Sequence, residues 1–204
     1  MASDASVLAR LKESAAGCRD CPLWENATQV VFGEGPPDAP LMLVGEQPGD
    51  KEDIAGQPFV GPAGLLLDRA LRDAGIDRES TYVTNAVKHF KFVLRGKRRL
   101  HQKPTVVEIN ACHQWLEREV EAIRPATIVA LGATAARSVF RRDMKIGVNR
   151  GRIIAVTPTI SGLVTAHPSS LLRIPDENAR AEGYQRFVAD LAVARASLPA
   201  AARR

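Results

Sequence analysis

Apolar residues along the chain fall into short continuous runs rather than alternating ones. Leu41-Met-Leu-Val44, Tyr82-Val-Thr84, Thr127-Ile-Val-Ala-Leu131 and Leu163-Val-Thr-Ala166 each have the length and flanks of a strand buried on both faces. Between them the apolar spacing changes to a helical period. It predicts helices over Ala5 to Ala16, Gly64 to Ala74, Thr105 to Ile123, Ala133 to Phe140 and Glu177 to Ser197. Thr105-x-x-Glu108 is a capping box and fixes the start of the third of these. Strands alternating with helices of this length imply right-handed crossovers. The expected fold is a three-layer α/β fold with a central, mostly parallel four-stranded sheet flanked by helices.

Each apolar run ends in polar residues. Leu41 to Val44 leads into Gly45-Glu46-Gln47-Pro48-Gly49-Asp50, Tyr82 to Thr84 into Asn85, Thr127 to Leu131 into Gly132, and Leu163 to Ala166 into His167-Pro168-Ser169-Ser170. Open α/β sheets bind ligands at the carboxyl ends of their strands, so these groups are predicted to share one edge. Gly45 to Asp50 can also be a plain tight turn, and His167 a satisfied core histidine. Gly61-Pro62 reads as a helix start whose free amides suit a phosphate, and Phe59 as a stacking surface near Glu46.

At 204 residues and 45% hydrophobic content the chain can bury a full core and is expected to form one domain, with residues 199–204 as a flexible tail. No apolar run approaches the roughly 20 residues of a membrane span, and Met1 to Ala16 alternates charge with Ala and Leu, unlike a signal peptide. The expectation is a cytoplasmic monomer. Three cysteines, an odd number, point to metal or plain thiols rather than a disulfide framework.

The net charge of +5 is modest, but it is concentrated. Lys88 to Lys103 holds seven Lys or Arg in 16 residues, and no Asp or Glu occurs between Glu79 and Glu108. Phe90, Phe92, His89 and His101 are interleaved with this charge. The stretch is predicted to be a phosphate-facing loop hinged at Gly96, with nucleic acid as the partner. A solvated face is the plainer alternative.

Four motifs, G-E-Q-P-G-D-K-E-D, F-V-G-P-A-G-x-L-L-D, Y-V-T-N-A-V-K and H-P-S-S-L-L-R, occur in this order. Together they resemble the uracil-DNA glycosylase superfamily in its iron-sulfur branch, over roughly Cys18 to Phe187. Within that branch, G-E-Q-P-G with a basic insertion ending K-R-R-L-H is similar to the UdgX group, whose members become covalently attached to uracil-containing DNA. That group usually has Ile where this chain has Leu100, a volume-conserving change.

The resemblance implies cluster ligands at Cys18, Cys21, His89 and Cys112 in an N-terminal cluster-binding segment, with His89 standing where the ordinary branch has a cysteine. Three thiolates and one imidazole suit structural zinc equally on chemical grounds; the resemblance favours a four-iron four-sulfur cluster (4Fe-4S). His113 is a rival, but it follows Cys112 on the same helix and projects about 100° away.

The resemblance further implies that Asn85 reads the edge of a flipped uracil, that Phe59 covers its face, and that backbone around Gln47 completes the edge contacts. His167 is implied to stabilise charge at uracil O2, His101 to attack C1′, and Glu46 to orient the imidazole and stabilise its charge. Asp50 is a second candidate, for loop geometry or residual water activation. Lys97, Arg98, Arg99, Ser169, Ser170 and Arg173 are the expected DNA contacts, on single-stranded and also double-stranded substrates. The rival functions are a turnover glycosylase using water and a noncatalytic iron-sulfur DNA-binding module.

Overall fold

A computed structural model describes residues 4–202. Four buried runs become the parallel strands β1 (Leu41–Gly45), β2 (Thr81–Asn85), β5 (Thr127–Leu131) and β7 (Ser161–Thr165). Between β2 and β5 lies a separate two-stranded hairpin, β3 (Phe92–Arg95) and β4 (Arg98–His101). The central sheet has five strands in the order β2-β1-β5-β7-β6, one more than expected. The fifth, β6 (Ile153–Ala155), is antiparallel to β7 at the edge. Three residues are too few to show a period, so the pairing of Ile153 with Leu163 creates this strand.

The helices are α1 (Asp4–Ala16), α2 (Asp50–Ala55), α3 (Pro62–Asp73), α4 (Val106–Ile123), α5 (Ala133–Phe140), α6 (Ile146–Asn149), α7 (Pro168–Leu172) and α8 (Glu177–Ser197). Strand residues alternate between two cores although every position but Ser161 is buried. Leu41, Leu43, Val83, Val129 and Leu163 pack with Leu67, Leu71, Phe187 and Leu191 of α3 and α8. Met42, Val44, Tyr82, Ile128 and Val164 pack with Leu116 and Ile123 of α4 and Val139 of α5. Each fully buried Leu, Ile or Val side chain contributes about 1.5–3 kcal/mol, so burial on both faces outweighs any local propensity of such short strands. A third cluster joins Ala15, Cys21, Leu23 and Phe32 to Ile109, Cys112 and Trp115 of α4. The Thr105 capping box at the start of α4 is present.

Short elements unread in the sequence, α2, α6, α7 and the hairpin, lie around these layers. Of the tail expected to be flexible, Ala200–Ala202 form a 3-10 turn, and residues 203 and 204 lie outside the described residues. Among the described residues no helix is long and apolar enough to cross a membrane.

β1 and β5 are neighbours, but the chain leaves β1 toward β2 and leaves β5 toward β7. The crossovers diverge there and open a crevice at the strand ends, where doubly wound sheets place their ligands. The cavity described next sits at that point.

Candidate active site

The cavity of about 540 Å3 is lined by Glu46, Asn85, Phe59, His101 and His167 among others. Glu46 follows β1 directly, and its carbonyl accepts the Val87 amide at 3.0 Å, which continues the β1–β2 pairing past the strand ends. Its carboxylate has two partners. Oε2 accepts from the Thr134 hydroxyl at the start of α5, and Oε1 lies 3.3 Å from His101 Nε2. Burial alone would raise this carboxyl. The hydrogen bonds with His101 and Thr134, joined by the positive charge of His101 and His167 whenever those rings are protonated, instead hold it below the usual carboxylate range. Glu46 is therefore an anion beneath the imidazole. Thr134, in the Gly132-Ala-Thr turn after β5, was not singled out in the sequence, because an isolated threonine at a helix start carries no signal of its own.

His167 caps α7. Its Nδ1 accepts the Ser169 amide at 3.2 Å and lies 2.8 Å from the Ser169 hydroxyl. An Nδ1 that accepts an N–H cannot carry a proton, so in the neutral ring the hydrogen is on Nε2. Burial is the main cause that lowers this imidazole to about 4; the nearby Glu46 opposes the shift, while His101 and Arg173 add to it. His167 is thus a neutral N–H donor at physiological pH. Its ring stands 6.3 Å from that of Phe59, with 25° between the planes.

Two glycines permit this arrangement. A Cβ on Gly45 would sit 2.3 Å from Asn85 Oδ1 and 2.7 Å from the Phe59 ring. One on Gly64 would meet the Phe59 carbonyl oxygen. Phe59 itself has φ 58°, a region costly for a bulky residue and retained where the surroundings over-determine it. Asn85, Phe59 and His167 are thereby gathered around one space. Gln47 differs. Its side-chain amide donates to the carbonyls of Lys91 and Gln102, and its oxygen accepts the Lys91 amide. That side chain clamps the base of the hairpin, which leaves only the backbone of Gln47 for a ligand.

The basic stretch is not the open loop expected. A lone two-stranded hairpin is marginal in water. This one turns at Gly96 (φ 61°), the first central position of a two-residue turn, where a type II′ geometry demands glycine. Three of the seven basic residues face inward. Lys88 is 1% exposed and paired with Glu119, Lys91 pairs with Glu108, and Arg99 donates to Asp50 at 2.5 Å and to buried Asp53 at 2.6 Å. Arg99 also lies over the Phe90 and Phe92 rings. It is a strut holding β4 to α2, its guanidinium engaged by two carboxylates. Arg95, Lys97, Arg98 and Lys103 remain exposed. Asp50 is half exposed beside the cavity and engaged with Arg99. On the opposite rim, Arg173 donates to the carbonyl and hydroxyl of Ser169, and the Ser170 hydroxyl donates to the His167 carbonyl.

Cys18, Cys21 and Cys112 share the third apolar cluster. The Trp115 indole N–H donates to Cys18 Sγ at 3.2 Å, and the Lys88 amide to Cys112 Sγ at 3.1 Å. Burial raises Cys21, and raises Cys112 to about 12. His89 is buried, which lowers its imidazole and keeps it neutral. Among the described residues no three Cys, His, Asp or Glu side chains converge as a metal-holding group. The chemistry of the donor set does fit a cluster: apolar surroundings, N–H donors aimed at sulfur, and a neutral imidazole are what a thiolate-bound cluster uses.

Three relatives and one family bear on this arrangement. The chain is 42% identical over 165 residues to a type-4 uracil-DNA glycosylase of Thermotoga maritima, covering 80% of this chain and 82% of the relative. A type-4 uracil-DNA glycosylase of Sulfurisphaera tokodaii is 37% identical over 73% of this chain and 64% of its own length. One from Archaeoglobus fulgidus is 36% identical over 78% and 79%. The sequence profile of the uracil DNA glycosylase superfamily matches residues 32–192, a span that includes every cavity residue described above. The chain belongs to the uracil DNA glycosylase superfamily.

Proposed function

We propose that this protein excises uracil from DNA and is then captured on the resulting sugar through His101, as in the UdgX group. The observation that carries the proposal is the His101–Glu46 pair at 3.3 Å, in the same cavity as Asn85, Phe59 and His167. Excision requires the nucleotide to leave the stack and its base to be read at the edge. Asn85 would accept from uracil N3–H and donate to O4, Phe59 would cover the ring, and the Gln47 backbone would complete the edge. As the C1′–N1 bond breaks, its electron pair leaves with uracil, and the Nε2–H of neutral His167 meets the charge at O2.

The sugar is left as an oxocarbenium-like centre. Glu46 occupies the Nε2 side of His101, so in the neutral ring Nε2 carries the proton and the other nitrogen keeps a lone pair. Attack by that lone pair on C1′ forms an N–C bond and a positive imidazolium, which the Glu46 carboxylate neutralises. Asp50 would set loop geometry through Arg99. Lys97, Arg98, Ser169, Ser170 and Arg173 would hold the backbone phosphates of single- or double-stranded DNA. Cys18, Cys21, Cys112 and His89 would bind a four-iron four-sulfur cluster, which would brace the N-terminal segment against α4. The chain is proposed to act as a single-domain cytoplasmic monomer.

A second reading, ordinary turnover with water as nucleophile, is favoured by the type-4 relatives and by the 49% exposure of the His101 side chain. A denaturing gel with a uracil-containing oligonucleotide separates the two. A shifted band that survives denaturant supports capture, and an alkali-cleavable abasic product without such a band supports turnover.

A further inference from the structure

Beneath the end of β2 lies a buried charged network. The Glu119 carboxylate, on α4, accepts from the Gly33 amide at 3.0 Å, the Tyr82 hydroxyl at 2.9 Å, the Thr84 hydroxyl at 3.0 Å and Lys88 Nζ at 2.5 Å. Lys88 Nζ donates twice more, to the Thr84 hydroxyl at 2.6 Å and to the Asn85 carbonyl at 2.9 Å. The two charged side chains are 1% and 0% exposed. All three ammonium donors are thus used, and one of them holds the backbone of the residue assigned to read the base. From the other side, the Lys88 amide donates to Cys112 Sγ, so the residue is gripped at both ends.

Stability does not explain such a pair. A well-packed apolar pair at a buried position is often as stable as an ion pair or more so, because desolvation offsets the attraction between the charges. A buried ion pair fixes direction, which an apolar contact does not. The direction matters here because the Asn85 amide oxygen and the Phe59 ring both close over Gly45, and a small turn of the β2 terminus would move that amide off the base edge.

We infer that the Lys88–Glu119 pair is a positioning device for uracil recognition: through the Asn85 carbonyl it fixes the angle at which the Asn85 amide meets the base. The inference rests on the reading that Asn85 contacts uracil. Lys88 and Glu119 touch no substrate and act through Asn85 alone.

The test compares four proteins in single-turnover uracil release: wild type, Asn85→Ala, Lys88→Met/Glu119→Gln, and the triple variant. The charge-neutral double keeps acceptors for Gly33 and Tyr82, and thermal unfolding checks that it folds; Lys88→Leu/Glu119→Gln, which keeps the same acceptors, is the substitute if it does not. The double is expected to lose about 10²-fold in maximal rate, the scale of a small misplacement transmitted from a distance. Its half-saturating protein concentration should be unchanged, since phosphate contacts set it. The triple should be no slower than Asn85→Ala, because a device that works only through Asn85 has nothing left to position. Wild-type rate in the double, or full multiplication of the two losses in the triple, overturns the inference. Wild-type rate in Asn85→Ala overturns instead the base-reading role on which it rests.

Discussion

Two acid–base pairs lie one strand apart at the same sheet edge, and they differ in almost every respect. Lys88–Glu119 is 2.5 Å long and sealed, at 1% and 0% side-chain exposure. His101–Glu46 is 3.3 Å long, at 49% and 23%. Every polar atom of the buried pair has a partner within the protein. In the open pair the carboxylate has Thr134 and His101, but the imidazole, which lines the cavity, keeps one nitrogen uncommitted among the described residues. A buried pair can only hold position, because any unused donor or acceptor there would carry a full desolvation cost. A pair at a cavity mouth can leave a lone pair available, because water satisfies it until substrate arrives. Burial thus separates a charged pair with no group to spare from one that keeps a lone pair facing the cavity.

The sharpest way to break this contrast is His101→Ser. Crosslinking to uracil-DNA should vanish while uracil release stays measurable, because water can occupy the vacated space. Persistence of a denaturant-resistant complex on a gel would assign the nucleophile to another side chain. Next in size is Glu119→Ala, which strands the Lys88 ammonium in the core and should cost about 3–5 kcal/mol in chemical denaturation. Glu46→Gln makes the complementary case: it should change stability by less than about 1 kcal/mol, as expected of a partly exposed pair, yet slow crosslinking more than it weakens uracil-DNA binding. Equal stability losses in the two variants would erase the distinction.

A pH series sharpens it further. His167 is lowered to about 4 in the folded state from the ordinary 6.5. Between those values the unfolded chain binds the proton and the folded one does not, so stability is present above pH 6.5 and falls as pH drops toward 4. Urea titrations of wild type and His167→Gln should diverge over that interval, the variant showing the shallower decline. Coincident curves would mean that the ring is not held neutral.

The smallest expected effects concern the hairpin. Lys97→Ala with Arg98→Ala should reduce the slope of log affinity against log salt by about 0.7–0.9 for each phosphate no longer neutralised. Arg99→Ala should leave that slope in place and instead loosen the hairpin, raising its amide exchange, because Arg99 bonds Asp50 and Asp53. A slope change in Arg99→Ala as large as in the double variant would return that residue to the phosphate surface. Cys112→Ser should abolish the visible charge-transfer absorbance expected of an iron-sulfur protein. A purified wild type that is colourless and holds zinc would remove the cluster from the proposal.

The parallel strands, α4 with its capping box, α5 and α8 were legible in the chain because each follows from near-neighbour chemistry: a continuous apolar run, a helical period, or a cap three residues from its partner. The polar residues after β1, β2 and β7 were legible for the same reason, since a parallel sheet must bring its strand ends to one edge. The hairpin was not. Its strands are four residues each and rich in Arg, so no apolar alternation marks them, and it is held by Gln47, Asp50 and Asp53 at sequence separations of 44 to 55 residues.

Charge was the least transferable signal. The sequence placed seven cations in one stretch and left their direction open. Only the tertiary structure decided that Lys88, Lys91 and Arg99 turn inward to Glu119, Glu108, Asp50 and Asp53, while Lys97 and Arg98 stay in water. The physical reason is that a carboxylate's pull on a cation depends on distance through space and on the dielectric between them. Neither quantity is written in the spacing of Lys88 from Glu119. The sequence by itself determined which residue types would meet at the strand ends. The fold decided which charge would be sealed beneath Asn85, and which imidazole would stand open beside Glu46.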